Sequence, residues 1–393
     1  MACFRHEVTR RVRILTVLTY YYPHWTGLTA YARLLAEGLS RRGHDVTVLT
    51  ARYGQELPKT EVHNGVRIVR LEPLMRISRG VVMPAFPLVA NRLIQEHDVI
   101  QLHAPLLESP LITTLAGWHG RKVIFTHHGD LVMPSSPFEQ FVERTVTALM
   151  RRALKASAYV TIHTQDYAEN SPFLCPFRDK LVYVLPPVRI PEPVADQVQA
   201  WRRELGVETN PLVGFAGRFV EEKGFDYLLQ AIPYVAKQLP NVKFVYAGEI
   251  NVAYESFFEK WRHLVERHGE HIIMLGLLRD PQRIANFYAM CDVLALPSRT
   301  DCFPMVQVEA MLCGTPAVAT DIPGLRVPVR LTGMGRLVKP RDERALAEGL
   351  LDALAHREKY VKSRDEIAAV FDMEKTLDTY ENLMLELSRE TGR

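Results

Sequence analysis

The chain has 393 residues, enough for two ordinary domains, and 47% hydrophobic and 24% charged residues, the composition of a globular protein with sizeable cores. Lys plus Arg total 48 against 45 for Asp plus Glu, so the formal charge of +3 supplies no global attraction to nucleic acid and any cationic function must be local. Five scattered cysteines (Cys3, Cys175, Cys291, Cys302, Cys313) show neither C-x-x-C nor zinc spacing and fit a reduced, cytoplasmic setting, while no apolar run is long enough for a signal h-region or a bilayer span.

Along the first half, short β-branched runs alternate with amphipathic stretches. RILTVLT (13–19), DVTVLT (45–50), RIVRLE (67–72), DVIQLH (98–103), KVIFTHH (122–128) and YVTIHT (159–164) read as strands, and LTAYARLLAEGLSRRG (28–43) reads as a helix that stops at a glycine. The proline-rich VLPPVRIPEPV (184–194) can continue neither element and reads as a linker. A second series follows: LVGFAG (212–217), KFVYAG (243–248), HIIMLG (271–276), DVLALP (292–297), PAVAT (316–320) and GRLVK (335–339). Strand and helix in alternation predict α/β architecture, two Rossmann-like, doubly wound parallel-sheet domains facing each other across a cleft lined by strand carboxyl ends. The expected domains are 1–187 and 188–372, with a C-terminal helical segment, 373–393, returning to the first.

Three stretches carry chemistry. In PSRTDCFPMVQVEAMLCGTPAVATDIPG (297–324), Asp301 and Glu309 bracket the start of a short helix within a βαβ unit, where an acid is placed to hold hydroxyls. The competing reading makes Asp301 a helix cap and Glu309 a solvated residue. In GFAGRFVEEKGFDYLLQAI (214–232), a buried strand ends at Gly217, Arg218 follows, and Lys223 comes about one helical turn further on. An Arg fork and a Lys point charge beside two glycines suit a diphosphate, although both cations could instead pair with Glu221, Glu222 or Asp226. In the first half, Gly27 lies at a strand-to-helix turn that a phosphate or sugar could approach, and His128 lies at the end of a predicted strand.

There is no D-x-D, no helical H-x-x-x-H pair, no G-x-S-x-G and no P-loop, so no metal site is expected and a leaving diphosphate would rely on Arg218, Lys223 and helix dipoles. FEQFVERTVTALMRRALKAS (138–157) is basic and amphipathic, setting Phe138, Phe141, Val142, Val146, Leu149 and Ala153 against Arg144, Arg151, Arg152 and Lys155, a pattern suited to peripheral contact with an anionic leaflet or to packing on its own domain.

The order of TGLTAYARLLAEGLSRRGHDVTVLT, THHGD, AGRFVEEKGFDYLLQA, YAGE and the 297–324 stretch resembles the retaining, GT-B-fold glycosyltransferase group one family (family four), from about residue 12 to 385. The resemblance implies transfer of a sugar from a nucleotide diphosphate sugar, the co-substrate, to a glycan, lipid or small-molecule acceptor, with retention and with no tightly bound cofactor. It makes the first domain the acceptor side and the second the donor side. It implies that Arg218 and Lys223 clamp the diphosphate, Glu309 holds the ribose, Asp301 and the Phe303-Pro304-Met305 backbone meet the donor sugar, His128 meets that sugar too, and Gly27 lies near the phosphates. Three positions depart from the pattern: Asp301 replaces the usual glutamate, Thr26-Gly27 the usual Gly-Gly, and Val327 a glutamate often found after the Pro-Gly turn. Two other readings stay open: a phosphorylase or epimerase on the same fold, and a catalytically silent sugar-nucleotide-binding or assembly protein.

Overall fold

A computed structural model describes residues 10–77, 80–131, 137–250, 252 and 256–390. Cys3 and part of the 130–140 loop lie outside the described residues. The chain divides into two compact units, Met1–Pro187 with Met373–Arg393, and Val188–Asp372.

The first unit is built on β1 (Arg13–Val17), β2 (Asp45–Ala51), β3 (Thr60–His63), β4 (Val66–Leu71), the two-stranded hairpin β5 (Met75–Ile77) and β6 (Gly80–Val82), β7 (Val99–Ala104), β8 (Lys122–His127), β9 (Tyr159–Ile162) and β10 (Leu181–Tyr183). Its eight-stranded sheet runs β10-β9-β8-β7-β1-β2-β4-β3 and is parallel except for the edge strand β3. The strand order turns at β1, with β7 on one side and β2 on the other, and loops at the carboxyl ends there form the usual ligand-facing rim of such a sheet. Every residue of β7 is buried, as expected for a central parallel strand covered on both faces.

The helix Gly27–Arg41 follows β1 and starts with a capping box in which Thr26 and Thr29 satisfy each other's backbone N–H groups. The C-terminal helix Met373–Glu390 is part of this unit. Arg42 bridges Glu374, Asp378 and Glu381 on it at 2.6, 2.8 and 2.6 Å, and buried Tyr380 meets the Tyr31 hydroxyl at 2.6 Å.

The helix Pro137–Ala156 differs from its sequence reading. Met150, Ala153 and Leu154 form the buried stripe, whereas Phe138 and Phe141 are exposed on the side that carries the cations. Of the apolar set read from sequence, Ala153 is buried and the two phenylalanines are not, so packing on the domain falls to a stripe that the phenylalanines do not share.

The second unit consists of β11 (Leu212–Ala216), β12 (Lys243–Ala247), β13 (Ile272–Gly276), β14 (Val293–Leu296), β15 (Ala317–Thr320) and β16 (Gly335–Val338). All pairings are parallel in the order β13-β12-β11-β14-β15-β16, which reverses between β11 and β14. Its core gathers Phe215, Phe219, Phe225, Tyr246 and Phe257 beneath the end of β11. The 184–194 segment has no regular structure, as its prolines require.

Candidate functional site

In the second unit both predicted motifs emerge at the reversal point. Arg218 follows β11 by way of Gly217, and Asp301 lies in the loop after β14. Lys223 closes the short turn Glu221–Lys223, and its Nζ donates to Asp301 Oδ2 at 2.6 Å. The pair is largely screened from water, with side chains 26% and 12% exposed. Burial opposes the lysine charge, but Asp301 and Glu222 outweigh it and hold the ammonium above its ordinary range. Arg218 donates to Glu222 Oε1 at 3.2 Å and keeps about a third of its side chain exposed (34%). One of the alternative pairings expected from sequence, Arg218 with Glu222, is therefore present; Lys223 instead reaches 78 positions along the chain.

Two backbone approaches fix this geometry. Gly224 has φ +65°, and a Cβ there would sit 2.0 Å from the Pro297 carbonyl oxygen, so the turn and the β14 loop meet without room for a side chain. Asp301 forms an isolated bridge with Gly324, where an added Cβ would strike the Cys302 and Asp301 carbonyls at 2.3 and 2.6 Å. The Pro-Gly turn thus positions the Asp301 loop.

Arg299 ties the two together. Its guanidinium grips the nearly buried Asp226 through both carboxylate oxygens, at 2.8 and 2.6 Å, donates to the Glu221 carbonyl at 2.6 Å, and lies 4.4 Å from the Tyr227 ring centroid. Its position within the 297–324 stretch was visible in sequence; its partners, 73 and 78 positions away, were not.

The helix Met305–Leu312 has Pro304 as its N-cap, with no side-chain cap bond. Asp301 is not the cap, and Glu309 is not a solvated residue. The Phe303-Pro304-Met305 backbone opens the helix, where a positive dipole end favours anionic or oxygen-rich groups. Glu309 Oε2 accepts from the buried Tyr288 hydroxyl at 2.8 Å, and burial raises its carboxyl above the usual range. Tyr288 was not foreseen. The Tyr288 bond fixes the orientation of the Glu309 carboxyl.

In the first unit, His128 follows β8 and its Nε2 lies 2.8 Å from Nδ1 of the fully buried His103 at the end of β7. Tyr31, from the helix that begins at Gly27, sets its ring edge-on to His128 at 4.8 Å, with His163 5.2 Å from His128. The Gly27 helix and the His128 strand end therefore share one carboxyl edge. Gly27 itself is exposed, and a Cβ there would meet nothing within 4 Å, so neither packing nor a left-handed turn requires glycine.

Burial and neighbouring imidazoles depress all three histidines: His103 and His163 are each pushed down to about 3, and His128 lies well below its ordinary 6.5. At neutral pH this edge presents neutral imidazole, a donor and acceptor rather than a cation. Since His103 and His163 take up protons near 6.5 in the unfolded chain and only near 3 in the folded one, their contribution to stability is complete above pH 6.5 and is lost as pH falls toward 3. The urea midpoint should decline over that window. His103→Asn should flatten the decline by up to about 1.4 kcal/mol per pH unit, and a profile identical to wild type would contradict the neutral buried assignment.

Residues 197–368 match the family described as glycosyl transferases group 1, and residues 26–187 match the glycosyl transferase 4-like domain. An uncharacterized glycosyltransferase of Methanocaldococcus jannaschii is 25% identical over 86% of this chain and 87% of its own. The 2-deoxystreptamine N-acetyl-D-glucosaminyltransferase of Streptomyces fradiae is 30% identical over 68% of this chain and 65% of its own. Among solved structures, Anabaena HepE in complex with UDP and glucose superposes with a TM-score of 0.77 at 19% identity, covering 95% of this chain and 99% of that one.

Proposed function

We propose that this chain, which belongs to the group 1 glycosyltransferases of the family four type, moves a sugar from a nucleotide diphosphate sugar to an acceptor with retention and without a required metal. The observation that carries the reading is the convergence of Arg218, Lys223 and Asp301 at the β11/β14 reversal of one parallel sheet. Arg218 and Lys223 would hold the diphosphate, Glu309 the ribose, and Asp301 and the Phe303–Met305 backbone the donor sugar. HepE and the S. fradiae enzyme support the donor class by analogy, one through bound UDP and the other through the sugar transfer in its name.

In the reaction so proposed, the bond from the anomeric carbon to the phosphate oxygen breaks as the acceptor oxygen bonds to the same face of that carbon. The acceptor proton passes to the departing phosphate. Both candidate carboxylates are already engaged, Asp301 by Lys223 and Glu309 by Tyr288, which favours positioning and charge stabilisation over a covalent glycosyl-enzyme. His128 would contribute a neutral hydrogen bond to the sugar, and the first unit would carry the acceptor.

Asp301 occupies the ammonium that the diphosphate must take. Asp301→Asn should therefore bind a nucleoside diphosphate more tightly, by up to about tenfold, while transferring sugar more slowly. Calorimetry showing weaker diphosphate binding by this variant would sink the competition. Asp301→Glu restores the length usual in the family and should change the order of preferred donor sugars.

The reading as a whole is tested by incubating the protein with a panel of nucleotide sugars and acceptors, with and without chelator, following nucleoside diphosphate release and the anomeric configuration of the product. Chelator-insensitive release with a retained anomer is expected. Tight donor binding without turnover on any acceptor would favour the silent binding protein.

A further inference from the structure

We infer that the outward face of the helix Pro137–Ala156 is a docking surface for an anionic lipid bilayer. Phe141, Arg144, Ala148, Arg151 and Lys155 recur at intervals of three and four residues and therefore form one stripe; all are exposed, with Phe138 and Arg152 exposed on its flanks. The two rings are 60% and 67% exposed, an uncommon condition for phenylalanine. Glu139 and Glu143 are half-buried and lie toward the packed side, so the stripe and its two flanking residues together combine four cations and two aromatic rings with no carboxylate.

Met150, Ala153 and Leu154 anchor the helix from the opposite side with at most 1% exposure, while within the stripe Arg151 lies 5.8 Å from the Phe173 ring centroid. Cations alone would suit any polyanion. Aromatic rings beside them favour a bilayer, which takes rings at the level of the acyl boundary while its headgroups meet Arg and Lys. The phenylalanines occupy the end of the helix nearest in sequence to His128 and the carboxyl end of β8, so docking would turn that edge of the first unit toward the leaflet. The consequence, that the acceptor is reached at a membrane surface, rests on the transferase reading; the docking does not.

Sedimentation of the full chain with vesicles of phosphatidylglycerol and phosphatidylcholine, against phosphatidylcholine alone, tests it. Binding should require phosphatidylglycerol and weaken about fivefold for each cation lost, or about a hundredfold in Arg144→Gln/Arg152→Gln/Lys155→Gln. Phe138→Ser/Phe141→Ser should weaken it at least about tenfold. Circular dichroism and donor-dependent diphosphate release report whether each variant still folds. Equal binding to both vesicle types, unchanged binding by a folded variant, or binding to a polynucleotide in place of vesicles would overturn the inference.

Discussion

Replacing Lys223 by alanine is expected to lower turnover by about 10²–10³-fold, and the Arg218→Ala/Lys223→Ala double variant by more. The magnitude follows from where the charge develops. As the sugar departs, negative charge would build on the diphosphate, and a cation positioned there stabilises it. Lys223 sits on a turn held by Arg299, with its ammonium 2.6 Å from Asp301, the carboxylate that the diphosphate would have to displace. Arg218, more exposed and paired with Glu222, would add the planar fork that a phosphate accepts in two bonds. Loss of Lys223 should also leave Asp301 without its cation, so the double variant Lys223→Ala/Asp301→Asn should recover stability relative to Lys223→Ala but not activity. A folded Arg218/Lys223 double variant with near-normal transfer would remove the diphosphate clamp from the account.

The second large effect is structural. Gly224→Ala should destabilise the second unit by on the order of 3 kcal/mol and abolish most donor binding, since its Cβ would require both a left-handed backbone and a position 2.0 Å from the Pro297 oxygen. Gly206 provides the control, with φ +66° and nothing within 4 Å of an added Cβ. Gly206→Ala should show the backbone term alone, about 1 kcal/mol. The difference between the two denaturation midpoints measures the close approach that brings the Lys223 turn to the Asp301 loop. Equal midpoints would mean that the loop yields at little cost.

Much of this arrangement could be read along the chain because parallel sheets advertise themselves. Runs such as LVGFA and VLAL are apolar on both faces and run into Gly217 and Pro297 where the loops begin. What escaped was short or polar: β3 is the alternating edge segment TEVH, β5 and β6 have three residues each, and β10 is LVY next to the linker. The site divides in the same way. Arg218, Lys223, Asp301 and Glu309 stand in recognisable motifs, so their residue types were legible, whereas their partners depend on tertiary closure. Nothing in the sequence pairs Lys223 with Asp301, His103 with His128, or Tyr288 with Glu309. The helix Pro137–Ala156 was legible only in part. The apolar set read from its sequence includes Ala153 but neither Met150 nor Leu154, and the buried stripe consists of all three.

The shortened acid at 301 also has a physical setting. Its carboxylate is committed to Lys223 and its backbone to Gly324, so a donor sugar would meet a side chain oriented by a cation rather than one waiting in solvent. Donor choice would then depend on whether the diphosphate, on taking Lys223, leaves Asp301 within reach of the sugar hydroxyls.

The proposed reaction depends on binding of a nucleotide diphosphate at the β11/β14 reversal point of the second unit, through Arg218 and Lys223. Calorimetric titration of the wild-type chain and the folded Arg218→Ala/Lys223→Ala variant with UDP, ADP and GDP tests it most directly. At least one diphosphate should bind the wild type, with affinity reduced about a hundredfold or more in the variant. Equal affinity in the two proteins would contradict the claim.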